Sequence, residues 1–276
     1  MNEEPSRTAF VAAAARAAHL LVDAEPHIFA DTLAVAILGE RAEELLAYHR
    51  AHGAHPILSG ARGQVAVRSR YTEDRLVEAV ERGVTQYVIL GAGLDSFAYR
   101  SRLPVRVFEV DHPATQGWKR RRLESAGIAI PETVAFVGVD FENDSLRDRL
   151  ARSGFDFALP SFVSWLGVTM YLTRESLIRT LAELPPGAEL VADYLLPAHL
   201  QDEAGKTHFE ALARVVAERG EPMHSLFTPE KMSALLEEAG FRRIEHAAQR
   251  EAVDPALWER RDTLSPTTRF QLVHAR

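Results

Sequence analysis

A predicted strand that ends in a glycine turn carries the strongest chemical signal in this sequence. Residues 86–90 read QYVIL, and directly after them come Gly91, Ala92 and Gly93. A continuous apolar run is typical of a parallel strand covered on both faces. Glycine lets the backbone turn tightly and approach a ligand where a Cβ would clash. The pattern predicts a nucleotide-binding turn, although a turn between strand and helix that binds nothing would share it.

An acidic residue follows the next predicted strand, at the position where a bound ribose would present its hydroxyls. Residues 105–111 read VRVFEVD and end in Asp111, whose two carboxylate oxygens match the spacing of a vicinal diol. Glu109 is a competing candidate, because residues two apart on a strand face the same way. Asp111 could instead cap the helix predicted over residues 113–126.

The chemistry of the turn limits which cofactor it can hold. A dinucleotide fingerprint has a third glycine and a helix N-terminus that binds pyrophosphate. Here Ser96 occupies the place of that glycine, and Asp95 adds a negative charge that would repel phosphate. S-adenosylmethionine contains adenosine and a sulfonium-bearing amino acid but no phosphate. It is therefore the cofactor that the sequence predicts.

The composition favours one α/β enzyme and excludes several other classes of protein. The 276 residues, 46% of them hydrophobic, can bury a full core. A net charge of −7, with only a short basic run at 119–122, argues against a nucleic-acid groove. The lack of cysteine excludes disulfides and cysteine-ligated zinc, and the spacing of the histidines favours no metal site. We expect a cytoplasmic protein that binds neither nucleic acid nor a membrane.

Several longer motifs occur together over most of the chain. They are 69–74 (SRYTED), 86–100 (QYVILGAGLDSFAYR), 107–119 (VFEVDHPATQGWK), 139–141 (VDF) and 164–172 (SWLGVTMYL), with shorter ones at 7–9 and 16–17. This set resembles the leucine carboxyl methyltransferase-like family of S-adenosylmethionine-dependent O-methyltransferases, which includes polyketide carboxyl O-methyltransferases. The resemblance implies an α/β fold of the Rossmann-like class I methyltransferase type. Such a fold has a mostly parallel seven-stranded sheet, helices on both faces and an N-terminal helical cap.

The resemblance also implies roles for the residues that follow the second and third strands. It favours Asp111 over Glu109 as the ligand of the ribose. Asp140 resembles the acid that accepts a hydrogen bond from the adenine amino group, and Phe141 would lie against the adenine ring. Asp140 could equally begin a turn into residues 142–144.

At the methionine end of the cofactor the resemblance is less complete. Arg70 resembles the arginine that pairs with the methionine carboxylate, with Arg68 as its possible substitute. Where carboxyl methyltransferase relatives commonly carry an acid that binds the ammonium group, this chain has Leu166. That contact is then left to backbone carbonyls, such as that of Gly91.

The acceptor pocket is expected at the carboxyl ends of the strands, where open α/β sheets bind ligands. The candidate residues there are Trp165, Tyr171, Tyr194 and His199, and Tyr171 is the one expected to position the acceptor. Each of these side chains could instead belong to the core. A carboxylate acceptor is already ionised at neutral pH, whereas a phenol or alcohol needs a general base nearby. The sequence offers no decisive base.

We therefore predict an S-adenosylmethionine-dependent O-methyltransferase that acts on a small-molecule acceptor, with a carboxylate as the expected acceptor group. A phenol or alcohol O-methyltransferase of secondary metabolism is the first alternative. A nicotinamide-dependent oxidoreductase is disfavoured by Asp95 and Ser96. A cofactor-binding protein without catalytic activity is the alternative outside enzymes.

Alternating helix and strand patterns must position these residues. They predict one methyltransferase domain, 1–276, with a helical cap over residues 1–65 and a cofactor-binding core over 66–276. The cap would cover the reacting methyl group and select the acceptor. Its helices are predicted at 10–22, 31–38 and 41–51, and a loop rich in glycine, histidine and proline follows at 52–63.

The core pattern is that of βαβ units in a parallel sheet. Helices are predicted at 64–82, 113–126, 145–152, 174–184, 201–218 and from 229, and further strands at 133–139, 161–166, 189–194, 241–247 and 268–274. The resemblance implies that the last strand is antiparallel.

Overall fold

A mixed sheet of seven strands lies at the centre of the fold. The structure is a computed structural model, which describes residues 5–141, 143–207, 209–210 and 223–276. The strands are β1 (Gln86–Leu90), β2 (Arg106–Asp111), β3 (Val134–Gly138), β4 (Ser161–Trp165), β5 (Glu189–Leu195), β6 (Ile244–Ala248) and β7 (Phe270–Ala275). Their order is β3-β2-β1-β4-β5-β7-β6, and β7 runs antiparallel to both of its neighbours. The predicted seven-stranded sheet and its antiparallel last strand are confirmed.

Helices cover both faces of this sheet. They are α1 (Arg7–Val22), α2 (Ala34–Leu38), α3 (Arg41–His52), α4 (Pro56–Glu81), α5 (Phe97–Arg100), α6 (Pro113–Ser125), α7 (Leu146–Arg152), α8 (Arg174–Ala182) and α9 (Pro229–Glu238). Of the predicted helix at 201–218, residues 203–207 are helical, and positions 208 and 211–218 lie outside the described residues. Within the described ranges, no helix has the length and apolar character that crossing a membrane requires.

The predicted loop at 52–63 is wrong over most of its length, because α4 already begins at Pro56. His55 is the N-cap and accepts a hydrogen bond from the Ile57 N–H through Nδ1. Proline suits the first helical turn, where its missing N–H costs nothing. Gly63 lies inside the helix, where a Cβ would make an ordinary contact of 3.6 Å with the Leu264 side chain. Capping at the start of α4 therefore explains His55 and Pro56, which the sequence placed in a loop.

The strand β1 is buried on both faces, as its continuous apolar run predicts. Val88 and Leu90 belong to one core, which they share with residues of α7, α8 and α9. Tyr87 and Ile89 belong to the core on the opposite face, where α4 packs. The glycine turn that follows β1 therefore lies at the carboxyl edge of the sheet, between the cores on its two faces.

A buried ion pair connects the N-terminal helices to this glycine turn. The Arg16 guanidinium on α1 donates from Nε to Asp31 Oδ2 at 2.8 Å and from Nη2 to the Leu94 carbonyl at 2.6 Å. The Ser96 hydroxyl donates to Asp31 Oδ1 at 2.6 Å. Burial alone would raise the pKa of Asp31, but the Arg16 charge and the Ser96 hydroxyl lower it overall. The cap and the turn therefore share one charged network.

Asp31→Ala should destabilise the protein strongly, because it leaves the buried Arg16 guanidinium without its carboxylate. We expect a loss of about 3–5 kcal/mol in the free energy of unfolding, measured by urea denaturation. The matched control is Asp74→Ala, which removes an ion pair with Arg70 whose side chains are 46% and 45% exposed. That control should cost less than about 1 kcal/mol. Equal small losses in both variants would contradict the role given to the network.

Candidate functional site

The turn after β1 requires glycine at both of its glycine positions. Gly91 has a φ of 66° and Gly93 a φ of 45°, in the left-handed region that side chains disfavour. A Cβ at Gly91 would lie 2.5 Å from Val168 Cγ2, in the loop after β4. A Cβ at Gly93 would lie 3.3 Å from the Ala9 Cβ on α1. The turn is therefore packed between the loop after β4 and the cap.

Asp111, at the end of β2, borders this turn directly. The Gly93 N–H donates to Asp111 Oδ2 at 2.6 Å, and the His112 N–H donates to Oδ1 at 2.7 Å. Burial raises the pKa of the carboxyl, and these two N–H groups only partly offset that rise. The alternative role as cap of α6 falls to His112, whose Nδ1 accepts from the Ala114 N–H.

Glu109, the competing acid on β2, is engaged elsewhere. Its Oε2 accepts a hydrogen bond from Lys119 Nζ at 2.8 Å, and both side chains are 1% exposed. Of the two acids on this strand, Asp111 is therefore the one whose carboxylate reaches the glycine turn.

The helix that follows the turn is ill suited to phosphate. Because α5 spans only Phe97–Arg100, its N-terminus offers few free backbone N–H groups to a phosphate. The Asp95 carboxylate already accepts a hydrogen bond from the Phe97 N–H at 2.7 Å. A dinucleotide pyrophosphate would have to displace that carboxylate and would be repelled by it. The geometry agrees with a phosphate-free adenosine ligand.

Asp140 and Phe141 follow β3, beside the end of β2. Asp140 begins a turn, because its carbonyl accepts hydrogen bonds from the N–H groups of Asn143 and Asp144 at 3.0 and 2.8 Å. Asn143 Nδ2 also donates to Asp140 Oδ2 at 2.8 Å. Phe141 is half-buried and packs against the core on the α7 side of the sheet. The turn that the sequence offered as an alternative is present. Asp140 follows the end of β3 closely, and the last residue of that strand, Gly138, pairs with Asp111 on β2.

Of the two candidate arginines on α4, the structure brings Arg68 and not Arg70 to the sheet edge. Arg70 forms an exposed ion pair with Asp74 on its own helix, with Nε 2.7 Å from Oδ2. Arg68 Nη1 donates to Asp193 Oδ2 at 3.0 Å, and a Cβ at Gly167 would lie 2.7 Å from the same nitrogen. Side chains two residues apart point about 200° apart around a helix, so both arginines cannot face the sheet.

Asp193, which the sequence reasoning missed, places an acid beside the loop where Leu166 lacks one. It is 1% exposed, and its Oδ1 accepts from the Gly167 N–H at 2.6 Å. The Thr169 hydroxyl donates to the Asp193 carbonyl at 2.6 Å. An aspartate inside the fully buried strand β5 was the available signal, because a buried charge requires a partner.

The four acceptor-pocket candidates occupy different environments. Trp165 is 2% exposed and lies beside Leu90 in the sheet register. The Tyr194 hydroxyl bonds to His246 Nδ1 at 2.9 Å, inside the core towards β6. His199 is exposed, in the short 3₁₀ turn after β5. Tyr171 is half-buried in the 3₁₀ turn after β4 and packs with residues of β5 and β7. Of the four, Tyr171 combines partial exposure with a place at the carboxyl edge.

Comparison with known families agrees with this geometry. The family model described as leucine carboxyl methyltransferase matches residues 9–184, a stretch that includes the glycine turn, Asp111 and Arg68. The chain belongs to the leucine carboxyl methyltransferase family. It is accordingly an S-adenosylmethionine-dependent methyltransferase.

Relatives of known sequence carry the same assignment in their names. A Bacillus subtilis protein, provisionally named as an S-adenosylmethionine-dependent methyltransferase, is 38% identical over 215 residues, which cover 75% of this chain and 70% of that protein. A Mycolicibacterium smegmatis protein with a similar provisional name is 36% identical over 163 residues, 55% of this chain and 53% of the relative. The chain thus spans about half the length of that second relative.

Solved structures support the fold of this family member. A Thermobifida fusca protein, provisionally described as a methyltransferase, superposes with a TM-score of 0.60 at 18% identity, covering 99% of this chain and 95% of that one. A DUF574-family protein from Streptomyces avermitilis gives a TM-score of 0.57 at 20% identity, covering 88% and 95%. At such identities the likeness concerns the fold alone.

Gly167→Ala should weaken cofactor binding, because the new Cβ would displace the Arg68 guanidinium. Gly187→Ala is the matched control, since Gly187 has a φ of 72° against 71° for Gly167 but no atom within 4 Å of its Cβ position. Backbone strain is then common to both variants. We expect about tenfold weaker binding of S-adenosylhomocysteine for Gly167→Ala alone, as for the loss of a charged hydrogen bond. Equal affinities of the two variants in calorimetric titration would contradict the expected pairing of Arg68 with the methionine carboxylate of the cofactor.

Proposed function

We propose that this family member transfers a methyl group to the carboxylate of a small molecule or a peptide terminus and so forms a methyl ester. On the cofactor side, Asp111 accepts hydrogen bonds from the ribose hydroxyls and Asp140 from the adenine amino group, with Phe141 against the ring. Residues 91–93 approach the cofactor through their backbone. Arg68 takes the part first assigned to Arg70 and pairs with the methionine carboxylate.

The observation that carries the choice of acceptor is the charge at the edge of the sheet where β4 and β5 end and the antiparallel β7 begins. The side chains described there include two arginines, Arg269, which is buried, and Arg68, which is partly buried, together with the buried carboxylate of Asp193. Since Arg68 pairs with Asp193, a positive charge is left over. Such an edge attracts an anionic acceptor and disfavours a neutral one, because burial strengthens electrostatic interactions.

The contacts of the nearby side chains support the same acceptor. S-adenosylmethionine supplies a methyl group that is already activated by the positive sulfur, so the protein mainly aligns the partners and excludes water. A carboxylate needs no base, whereas a phenol or alcohol must lose a proton. Asp193 is held by Arg68 and by the Gly167 N–H, and His199 is exposed. Neither is placed as a general base, so the phenol or alcohol alternative has less support.

Methyl transfer from labelled S-adenosylmethionine to a panel of aliphatic, aromatic and peptide-terminal carboxylates should give a product that releases volatile labelled methanol in mild base. Each carboxylate is paired with the alcohol of the same skeleton. Methyl esters hydrolyse under these conditions and methyl ethers do not. Label that stays bound after base treatment, or transfer to the alcohols alone, would contradict the carboxylate assignment.

A further inference from the structure

Arg269, the residue before β7, is a buried guanidinium with few hydrogen-bond partners. It is 2% exposed, and its Nη2 donates to the side-chain oxygen of Gln64 on α4. Its Nε and Nη1 meet no acceptor in the described part of the chain. Its guanidinium carbon lies 4.5 Å from the centre of the Phe270 ring. A buried cation that has only a neutral partner is costly, so these N–H groups call for an explanation.

The neighbouring carboxylate does not neutralise Arg269. Asp193 is bound by Arg68 through Nη1 at 3.0 Å. Gln64 and Arg68 are four residues apart on α4 and so share one face of that helix. Arg269 therefore lies over the same helix face as Arg68. Burial lowers the pKa of Arg269 to about 9, a value that still leaves it charged at neutral pH.

The position of Arg269 in the sheet separates it from the adenosine side of the cofactor. Because β7 is antiparallel, its first residue, Phe270, pairs with Leu195, the last residue of β5. The Leu196 N–H donates to the Arg269 carbonyl at 3.0 Å. Asp111, on β2, lies on the other side of β1 and β4 in the strand order. Arg269 is thus at the carboxyl edge, on the side of the glycine turn opposite to the ribose.

Tyr171 lies near the start of β7, which Arg269 precedes. Its ring packs in a small cluster with Leu195 and Phe270, the two residues whose pairing places Arg269 at the edge. The residue that the sequence expected to position the acceptor therefore packs in the cluster that contains Phe270, the residue after Arg269.

We propose that Arg269, near Tyr171, is the site that binds the carboxylate of the acceptor. This inference rests on the proposed function and names the residue that would select its substrate. The Nε and Nη1 N–H groups meet no acceptor in the described part of the chain, and either can donate a charge-assisted hydrogen bond to a carboxylate. Arg68 and Asp193 remain on the cofactor side. Methylation removes the negative charge, so the ester loses its attraction to the guanidinium and is released in preference to the acid.

The test is calorimetric titration of the protein saturated with S-adenosylhomocysteine. The probes are acetate, butyrate and benzoate, each compared with its primary amide. We expect the wild-type protein to bind at least one carboxylate about tenfold more tightly than the amide, and Arg269→Met to lose that preference. Arg269→Lys should retain part of it. Arg243→Met, at an arginine whose side chain is 68% exposed, is the matched control and should retain all of it.

Gln64→Glu tests the same inference without removing the arginine. A carboxylate at position 64 would pair with Arg269 within the protein and compete with the acceptor. This variant should fold, because it supplies the missing counter-charge, and it should lose the preference for carboxylates while S-adenosylhomocysteine still binds. It keeps the inference testable if Arg269→Met fails to fold.

The outcomes separate the inference from the proposed function. A preference for carboxylates that survives in Arg269→Met or Gln64→Glu, or that is absent from the wild-type protein, overturns the role of Arg269. If the wild-type protein forms base-labile esters and the KM for the acid is unchanged in both variants, the proposed function stands without this site. If the wild-type protein forms no ester, the proposed function itself fails.

Discussion

The pairing of buried arginines is the constraint on which this structure depends. The Arg16 guanidinium reaches from α1 to Asp31 and to the Leu94 carbonyl, and Asp31 in turn accepts from Ser96. A buried charge without its partner costs several kcal/mol, so elements that share such a network cannot move independently. The N-terminal helices are thereby held against the turn after β1. That turn is the part of the sheet edge that we propose to bind the cofactor.

The need of buried charges for a partner also explains which ligands the carboxyl edge of the sheet can hold. Asp95 occupies the start of α5 and excludes phosphate, while the half-buried Asp111 carboxylate borders the turn and suits neutral hydroxyls. Arg68 has a partner in Asp193, and among the described residues Arg269 has only the neutral Gln64. The edge therefore passes from an acidic end at β2 to a cationic end at β7. A positively charged methyl donor and an anionic acceptor would lie along that gradient in this order.

Local pattern was sufficient for the elements whose burial is continuous. The apolar run of β1, the two glycines after it and Asp111 at the end of β2 could all be read from neighbouring residues. The choice between Arg68 and Arg70 could not, since it depends on the rotational position of α4 against the sheet. Asp193 was missed because its hydrogen-bond partners come from distant segments of the chain. The start of α4 was predicted eight residues too late, because Gly60 and Gly63 indicate a loop while His55 caps the helix in front of them.

The role of the glycine turn and Asp111 is tested most directly by calorimetric titration with S-adenosylhomocysteine and, separately, with NAD, on the wild-type protein and on Asp111→Ala. We expect micromolar or tighter binding of S-adenosylhomocysteine alone, weakened about tenfold or more in Asp111→Ala through the loss of charged hydrogen bonds to the ribose. Binding of NAD, binding of neither ligand, or an affinity for S-adenosylhomocysteine that Asp111→Ala leaves unchanged would contradict this role.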